Sequence, residues 1–319
     1  MANFKESIIN YDNKTKMLND FPAIRKLGAI SPYGESSPFF FKGKMMRLEL
    51  KDPTRGIDSS VKICALIRDF YTGKIISELG EGCYYYSLYQ EGDKVYVLGT
   101  ERHEGGFHGC EISIFETEDL VNWKKRSLIK REGWSYFNTS LTKDDDGYVL
   151  LMEACKGDEE IGVPFTFFFA KSKDMVNWEF MPTETAFSRN IYNGGPWMHY
   201  TNGYYYVVSV TELPFQRYTN YLYRTKDFLT WEVGLYNPLL SPSIEDRKFS
   251  PNACDLDSGW GNEVKNMFLS SSSDFDACYD PVKKVTHISY ILGNQLGDYY
   301  SAEAEYDGTL DEFLERNFI

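Results

Sequence analysis

Thr117-Glu-Asp-Leu-Val-Asn-Trp123, Ser172-Lys-Asp-Met-Val-Asn-Trp178 and Thr225-Lys-Asp-Phe-Leu-Thr-Trp231 are three copies of one short pattern. A hydroxyl residue opens it, an Asp follows two places on, and a Trp closes it. The Asp residues, Asp119, Asp174 and Asp227, stand 55 and 53 residues apart. Each copy follows an apolar run: Ile112-Ser-Ile-Phe115, Phe167-Phe-Phe-Ala170 and Tyr221-Leu-Tyr-Arg224. Hydroxyl and Asp side chains bond to the backbone of a turn, so the pattern reads as strand, turn, strand. Weaker copies at Ile67-Arg-Asp-Phe-Tyr-Thr-Gly-Lys74 and Glu305-Tyr-Asp-Gly-Thr309 extend the ladder to Asp69 and Asp307.

A second ladder runs ahead of the first. Hairpin turns stand at Lys42-Gly43-Lys44, Glu91-Gly92-Asp93, Asp145-Asp146-Gly147, Asn202-Gly203 and Asp280-Pro281. From hairpin to Asp turn the distances are 26, 27, 27, 24 and 26 residues. Two markers that keep one offset through five units describe propeller blades. The predicted fold is all-β, a five-bladed β-propeller with four-stranded blades, filling residues 1–319 as a single domain. The last interval, about 80 residues, implies a loop insertion within 232–270, where Ser241 to Gly261 is rich in Pro, Ser, Asp and Gly. The last blade then lacks an outer strand, and the N-terminal segment 1–34 is expected to help close the ring. A pair of β-sandwiches is the alternative architecture, but it does not demand five equal units.

Composition narrows the function. A formal charge of −13 provides no basic field for nucleic acid, so a neutral or weakly charged partner fits better. No apolar stretch is long enough to cross a membrane as a helix. Six cysteines without a C-x-x-C pair, and an N-terminus without a signal-like apolar run, predict free thiols and a cytoplasmic enzyme. There is no phosphate loop, dinucleotide fingerprint or serine nucleophile elbow. His103 and His108 lack a third ligand, and Asp144-Asp-Asp-Gly147 is read as a hairpin rather than a calcium loop. No metal and no cofactor are therefore expected.

Propeller geometry places the site. The first strand of each blade lines the central channel, and its start shares a face with the end of the second strand. The starts fall at Glu35, Tyr84, Asn138, Gly195 and Ser273-Asp274. The ends fall at Glu49, Glu101, Glu153, Glu212 and Asn294-Gln295. Asp274 and Asp276, two apart on a strand, face one side. Carboxylates at a shared mouth raise one another's pKa, which separates an acid from a base. Glycoside cleavage needs that pair. Glu35, Glu153, Glu212, Asp274 and Asp276 are the catalytic candidates. Tyr84, Glu101, Arg102, His103, Asn138, Trp197, Asn294 and Gln295 are the candidates for binding an oligosaccharide or glycoside, with Tyr85 and Tyr86 beside Tyr84.

The repeated S-x-D-x-x-x-W pattern, with Asp145-Asp146-Gly147-Tyr148 and Gly195-Pro196 ahead of a Tyr-rich strand, resembles the five-bladed furanosidase propellers. These are glycoside hydrolase family 43, the invertases and levansucrases, and more distantly the family 130 phosphorylases. The similarity runs from about residue 30 to 319. It implies a glycoside hydrolase, yet each familiar carboxylate position is altered. Ser37 stands where the first Asp is expected, Asn138 where the second is, and Gly194 where the general acid Glu is. The resemblance therefore implies either a hydrolase with relocated carboxylates or a glycan-binding propeller without catalysis. A phosphorylase using a basic pocket near Arg102 and His103 is the third reading.

Overall fold

The computed structural model describes residues 23–52, 63–102, 108–156, 165–188, 190–256, 259–294 and 296–318. Strand β1 (Ile24–Ser31) belongs to the last blade. Blade one is β2 (Ser36–Phe41), β3 (Lys44–Lys51), β4 (Cys64–Asp69) and β5 (Ile75–Leu79). Blade two is β6 (Cys83–Glu91), β7 (Lys94–Glu101), β8 (Glu111–Thr117) and β9 (Lys124–Lys130). Blade three is β10 (Trp134–Lys143), β11 (Tyr148–Lys156), β12 (Thr166–Ser172) and β13 (Glu179–Phe180). Blade four is β14 (Asn193–Thr201), β15 (Tyr204–Leu213), β16 (Arg217–Thr225) and β17 (Trp231–Val233). Blade five is β18 (Ser271–Asp280), β19 (Val285–Gly293) and β20 (Tyr299–Tyr306), with β1 as its outer strand. The molecule is a five-bladed β-propeller with four antiparallel strands in each blade.

The repeated Asp turn has a clear physical cause. Asp119 Oδ1 accepts from the amides of Val121 at 2.9 Å and Asn122 at 2.7 Å. Asp174 and Asp227 do the same for the amides two and three places on. These bonds hold the Asp119 and Asp174 carboxyls far below the ordinary carboxylate range. The residue after each Asp takes a left-handed backbone: φ is 62° at Leu120, 58° at Met175 and 60° at Phe228. Apolar residues do not favour that region. Here each is buried, plugging the neighbouring blade.

The five joints between blades are not alike. Four apolar clusters fill the joints one–two, two–three, three–four and four–five. Among the described residues none of these clusters bridges blades five and one. That joint is polar. Arg47 and Glu49 of β3 and Arg68 of β4 are buried together, with Arg68 Nε 2.7 Å from Glu49 Oε2. The stretch between β17 and β18 straps the joint from outside. Ala29 and Ser250 bond through their backbones, Cys254 N donates to Ile30 O at 2.8 Å, and Asp255 pairs with Arg68. β1 completes the ring by pairing with β20 from Ile24↔Tyr306 to Ser31↔Ser301.

Candidate active site

The inner strands share a device at the funnel end. In four of the five blades the pairing of the inner strand with its neighbour slips, between Tyr84 and Ser87, Tyr136 and Thr139, Gly194 and Trp197, and Ser273 and Asp276. Such bulges bend a strand and re-aim a side chain. Three of them hold a residue at positive φ: Tyr85 at 57°, Gly195 at 50° and Asp274 at 49°. In blade one Glu35, just before β2, has φ 44°. The strained positions converge on the channel floor, where Glu35, Asn138, Gly195, Asp274 and Asp276 line a cleft. Its free volume is about 20 Å³, room for about one water molecule. Beneath it the axial channel widens to about 300 Å³, and Asp276 lines both spaces.

Four carboxyls meet here. Glu35 Oε2 accepts from the Tyr86 amide at 3.0 Å. Burial, then the nearby Asp274 charge, pushes Glu35 well above the usual carboxylate range. Burial also raises Asp274. Asp276 accepts a 2.6 Å hydrogen bond from Ser37 Oγ, yet burial still carries it to about 7. Glu153 lies behind the floor, where Asn138 Nδ2 donates to its Oε2 at 2.9 Å and Gly195 N at 3.1 Å. It is almost fully buried, and burial outweighs those bonds to bring it to about 7. Unlike Glu153, the other three keep part of their surface open to the funnel.

The three positions where the sequence resemblance implies carboxylates all lie beside these groups. Ser37 bonds Asp276, and Asn138 bonds Glu153. A side chain at Gly194 would begin 2.5 Å from Tyr192 Oη and 3.0 Å from Glu153 Oε1.

An aromatic arc rises on the side of blades two to four. Tyr84 meets Tyr85 at 5.1 Å, Tyr85 meets Phe137 at 5.7 Å, and Phe137 meets Phe165 at 4.8 Å between ring centroids. Phe165 continues to Tyr192 at 5.4 Å, and Tyr192 to Tyr218 at 5.5 Å. After burial, the charges of Glu35 on Tyr85 and of Glu153 on Tyr192 push these phenols up. The funnel is therefore two-sided: Glu35, Asp274 and Asp276 stand on blades one and five, and the aromatic arc stands on blades two to four with Glu153 of blade three behind it.

The other sequence candidates fall in three groups. Tyr84 supports the arc, donating to Asp52 Oδ2 at 2.5 Å. Trp197 is buried beneath the floor against Phe275 and His199, and donates to Asp276. Arg102 lies close enough for its charge to act on Tyr85. Three candidates stand apart. Glu212 is exposed near the end of β15, opposite Tyr218. Glu101 turns to the outer strands of blade two, bonding Ser113 and pairing with Lys125 at 2.5 Å. Asn294 folds its amide onto its own loop, donating to Asp298 Oδ2 at 3.0 Å and accepting from the Leu296 amide at 2.8 Å. His103 and Gln295 lie outside the described residues. Sequence reasoning missed Phe137, Phe165, Tyr192 and Tyr218. Only Phe137 and Tyr192 carried a signal, lying next to Asn138 and just before Gly194-Gly195.

Among the described residues, no group of three or more His, Cys, Asp or Glu has the arrangement to hold a metal ion. No helix among them is long and apolar enough to cross a membrane.

Solved structures share this architecture. The chain has the fold of the five-bladed glycoside-hydrolase propellers. A Bombyx mori family 32 β-fructofuranosidase superposes with a TM-score of 0.55 at 11% identity, over 93% of this chain and 66% of that one. A thermostable family 43 glycoside hydrolase gives 0.58 at 13% identity, over 87% and 89%. A Fusarium graminearum α-L-arabinofuranosidase, solved with an iminosugar inhibitor, gives 0.57 at 10% identity, over 89% and 98%. No family model matches the sequence, and no curated protein does.

Proposed function

We propose that this chain is a glycoside hydrolase acting on a neutral sugar, with its carboxylates relocated within the fold. The observation that carries this reading is the meeting of four carboxyls with raised pKa at the funnel floor, opposite an aromatic wall. Structural neighbours that bind sucrose or an iminosugar support a carbohydrate ligand.

Glu35 is the general acid. Burial and the Asp274 charge raise its pKa and so favour its protonated form, and that proton passes to the glycosidic oxygen as the bond to the anomeric carbon breaks. Asp276 is the base. Hydrogen bonds from Ser37 and Trp197 favour its ionised form, and it takes a proton from the water whose oxygen joins the anomeric carbon. Asp274 and Glu153 hold the pKa of Glu35 up. The aromatic arc stacks on the apolar face of the sugar. Four carboxyls disfavour a uronic acid. No Lys or Arg lines the floor among the described residues, so water is favoured over phosphate as the acceptor.

The test is release from a panel of aryl glycosides and plant oligosaccharides, with and without phosphate. Phosphate-independent release, cut by at least about a hundredfold in Glu35→Gln and Asp276→Asn, is expected for an acid and a base. Strict phosphate dependence would make the enzyme a phosphorylase. No release, with a thermal shift on adding one glycan, would make it a binding module.

A further inference from the structure

The β15–β16 hairpin carries a residue that folding alone does not favour. Pro214, Phe215 and Gln216 join Leu213 to Arg217, which pair across the turn. Phe215 has φ 68° and Gln216 φ 54°. Left-handed backbone at a hairpin tip normally belongs to Gly, Asn or Asp, and a bulky side chain there is strained. The Phe215 ring is also 92% exposed. Two unfavourable features coincide on one residue, and such strain concentrates at ligand clamps and active sites.

The position of the tip says what it meets. Two residues along β16 from Arg217 is Thr219, and between them Tyr218 ends the aromatic arc. That arc runs back through Tyr192, whose phenol feels Glu153 and Asp274. The rings thus lead from the reacting carboxyls up to the hairpin. On blade five, the corresponding β19–β20 loop carries Leu296, which is also largely exposed, at 82%. The floor itself has room for little beyond the reacting atoms, so further sugar units must lie along the wall and rim.

We propose that Phe215 is a stacking platform for a distal unit of an extended, neutral oligosaccharide whose reacting end sits at Glu35 and Asp276. This rests on the hydrolase reading and adds a substrate class to it, chains longer than a disaccharide. The platform contributes through contact with an apolar sugar face, and only when the chain reaches it.

The experiment compares Phe215→Gly and Phe215→Trp with wild type on an aryl monoglycoside and on matching oligosaccharides from di- to hexasaccharide. In Phe215→Gly, kcat/KM is expected to fall about five- to tenfold on the long chains. It should be unchanged on the aryl monoglycoside. Phe215→Trp should restore the long-chain value. Thermal stability should not drop in Phe215→Gly, because glycine suits the turn. An equal loss on both substrates, or none on the long chains, overturns the platform. Dimerisation of wild type that Phe215→Gly abolishes would assign the tip to a second copy instead. If wild type turns over no glycoside, the hydrolase reading fails by itself. Calorimetric titration with the same oligosaccharides then decides the platform. Affinity that rises with chain length and is lost in Phe215→Gly upholds it; any other binding result, including none, overturns it.

Discussion

At the scale of single residues, the site pairs Asp276 and Glu153 with small polar or glycine neighbours. Ser37 stands at a position where the sequence resemblance implies a carboxylate, and its hydroxyl is bonded to a carboxylate on the next inner strand, Asp276. That bond favours ionised Asp276, so removing it raises the pKa. Ser37→Ala is therefore expected to move the acid-side limb of the pH–rate profile to higher pH, by about one unit or less, with a smaller change in plateau rate. A profile shifted to lower pH, or unmoved, would separate Ser37 from the base. Gly194 argues the same way, because the space a side chain would need there is already held by Tyr192 and Glu153. Some of this was legible beforehand. Glu35 precedes a core strand and Glu153 follows an apolar run within one, where a carboxylate has few reasons to be. Glu212 misled because it lies nine residues past its hairpin Gly203, against six for Glu153 past Gly147. Three residues of strand carry a side chain about 10 Å further on. Glu49 stands six past Gly43 as well, but Arg47 and Arg68 claim it.

At the scale of elements, the bulged inner strand is the unit that builds the site. In the four blades with a slip, the turn ladders located the strand start to within a residue or so of it, because hairpin spacing fixes how far a strand runs. They could not reveal the bulge, since one unpaired residue leaves no mark in a pattern of period two. Nor could they reveal the aromatic arc, whose rings come from strand ends and loops that meet only after the ring closes. Gly195 is where the bulge is most demanding. Its amide holds Glu153, its φ is 50°, and a Cβ there would lie 3.0 Å from Asp274 Oδ1. Gly195→Ala is expected to cost about 1–2 kcal/mol of stability from the left-handed backbone. Activity should fall further than folding explains, because the carboxyls on both sides are displaced. Denaturant unfolding beside kcat/KM on one glycoside checks this; a variant as active and as stable as wild type would exclude the crowded geometry.

At the scale of the whole molecule, four apolar joints carry the ring, while three of the floor carboxyls flank the polar joint between blades five and one and the fourth, Glu153, reaches the floor from blade three. Function and stability pull against each other at these carboxyls. The pKa of Glu153 rises from 4.5 to about 7 and that of Asp276 from 3.8 to about 7 on folding. Between those limits the folded chain binds more protons than the unfolded one, so stability falls as pH rises. The penalty is absent below the unfolded values and complete above the folded ones. The contribution of these two groups to thermal stability should thus be more favourable near pH 5 than near pH 8, opposite in sign to that of a salt-bridged carboxylate. Glu153→Gln and Asp276→Asn delete the ionisation while keeping shape. Each is expected to unfold several degrees above wild type near pH 8, with the advantage shrinking toward pH 4. Melting curves across that range, recorded with the activity of the same samples, decide it. Gained stability together with lost turnover would fit carboxyls retained for chemistry at the expense of the fold, whereas a loss of stability at pH 8 would mean that they serve the ring as structural ions.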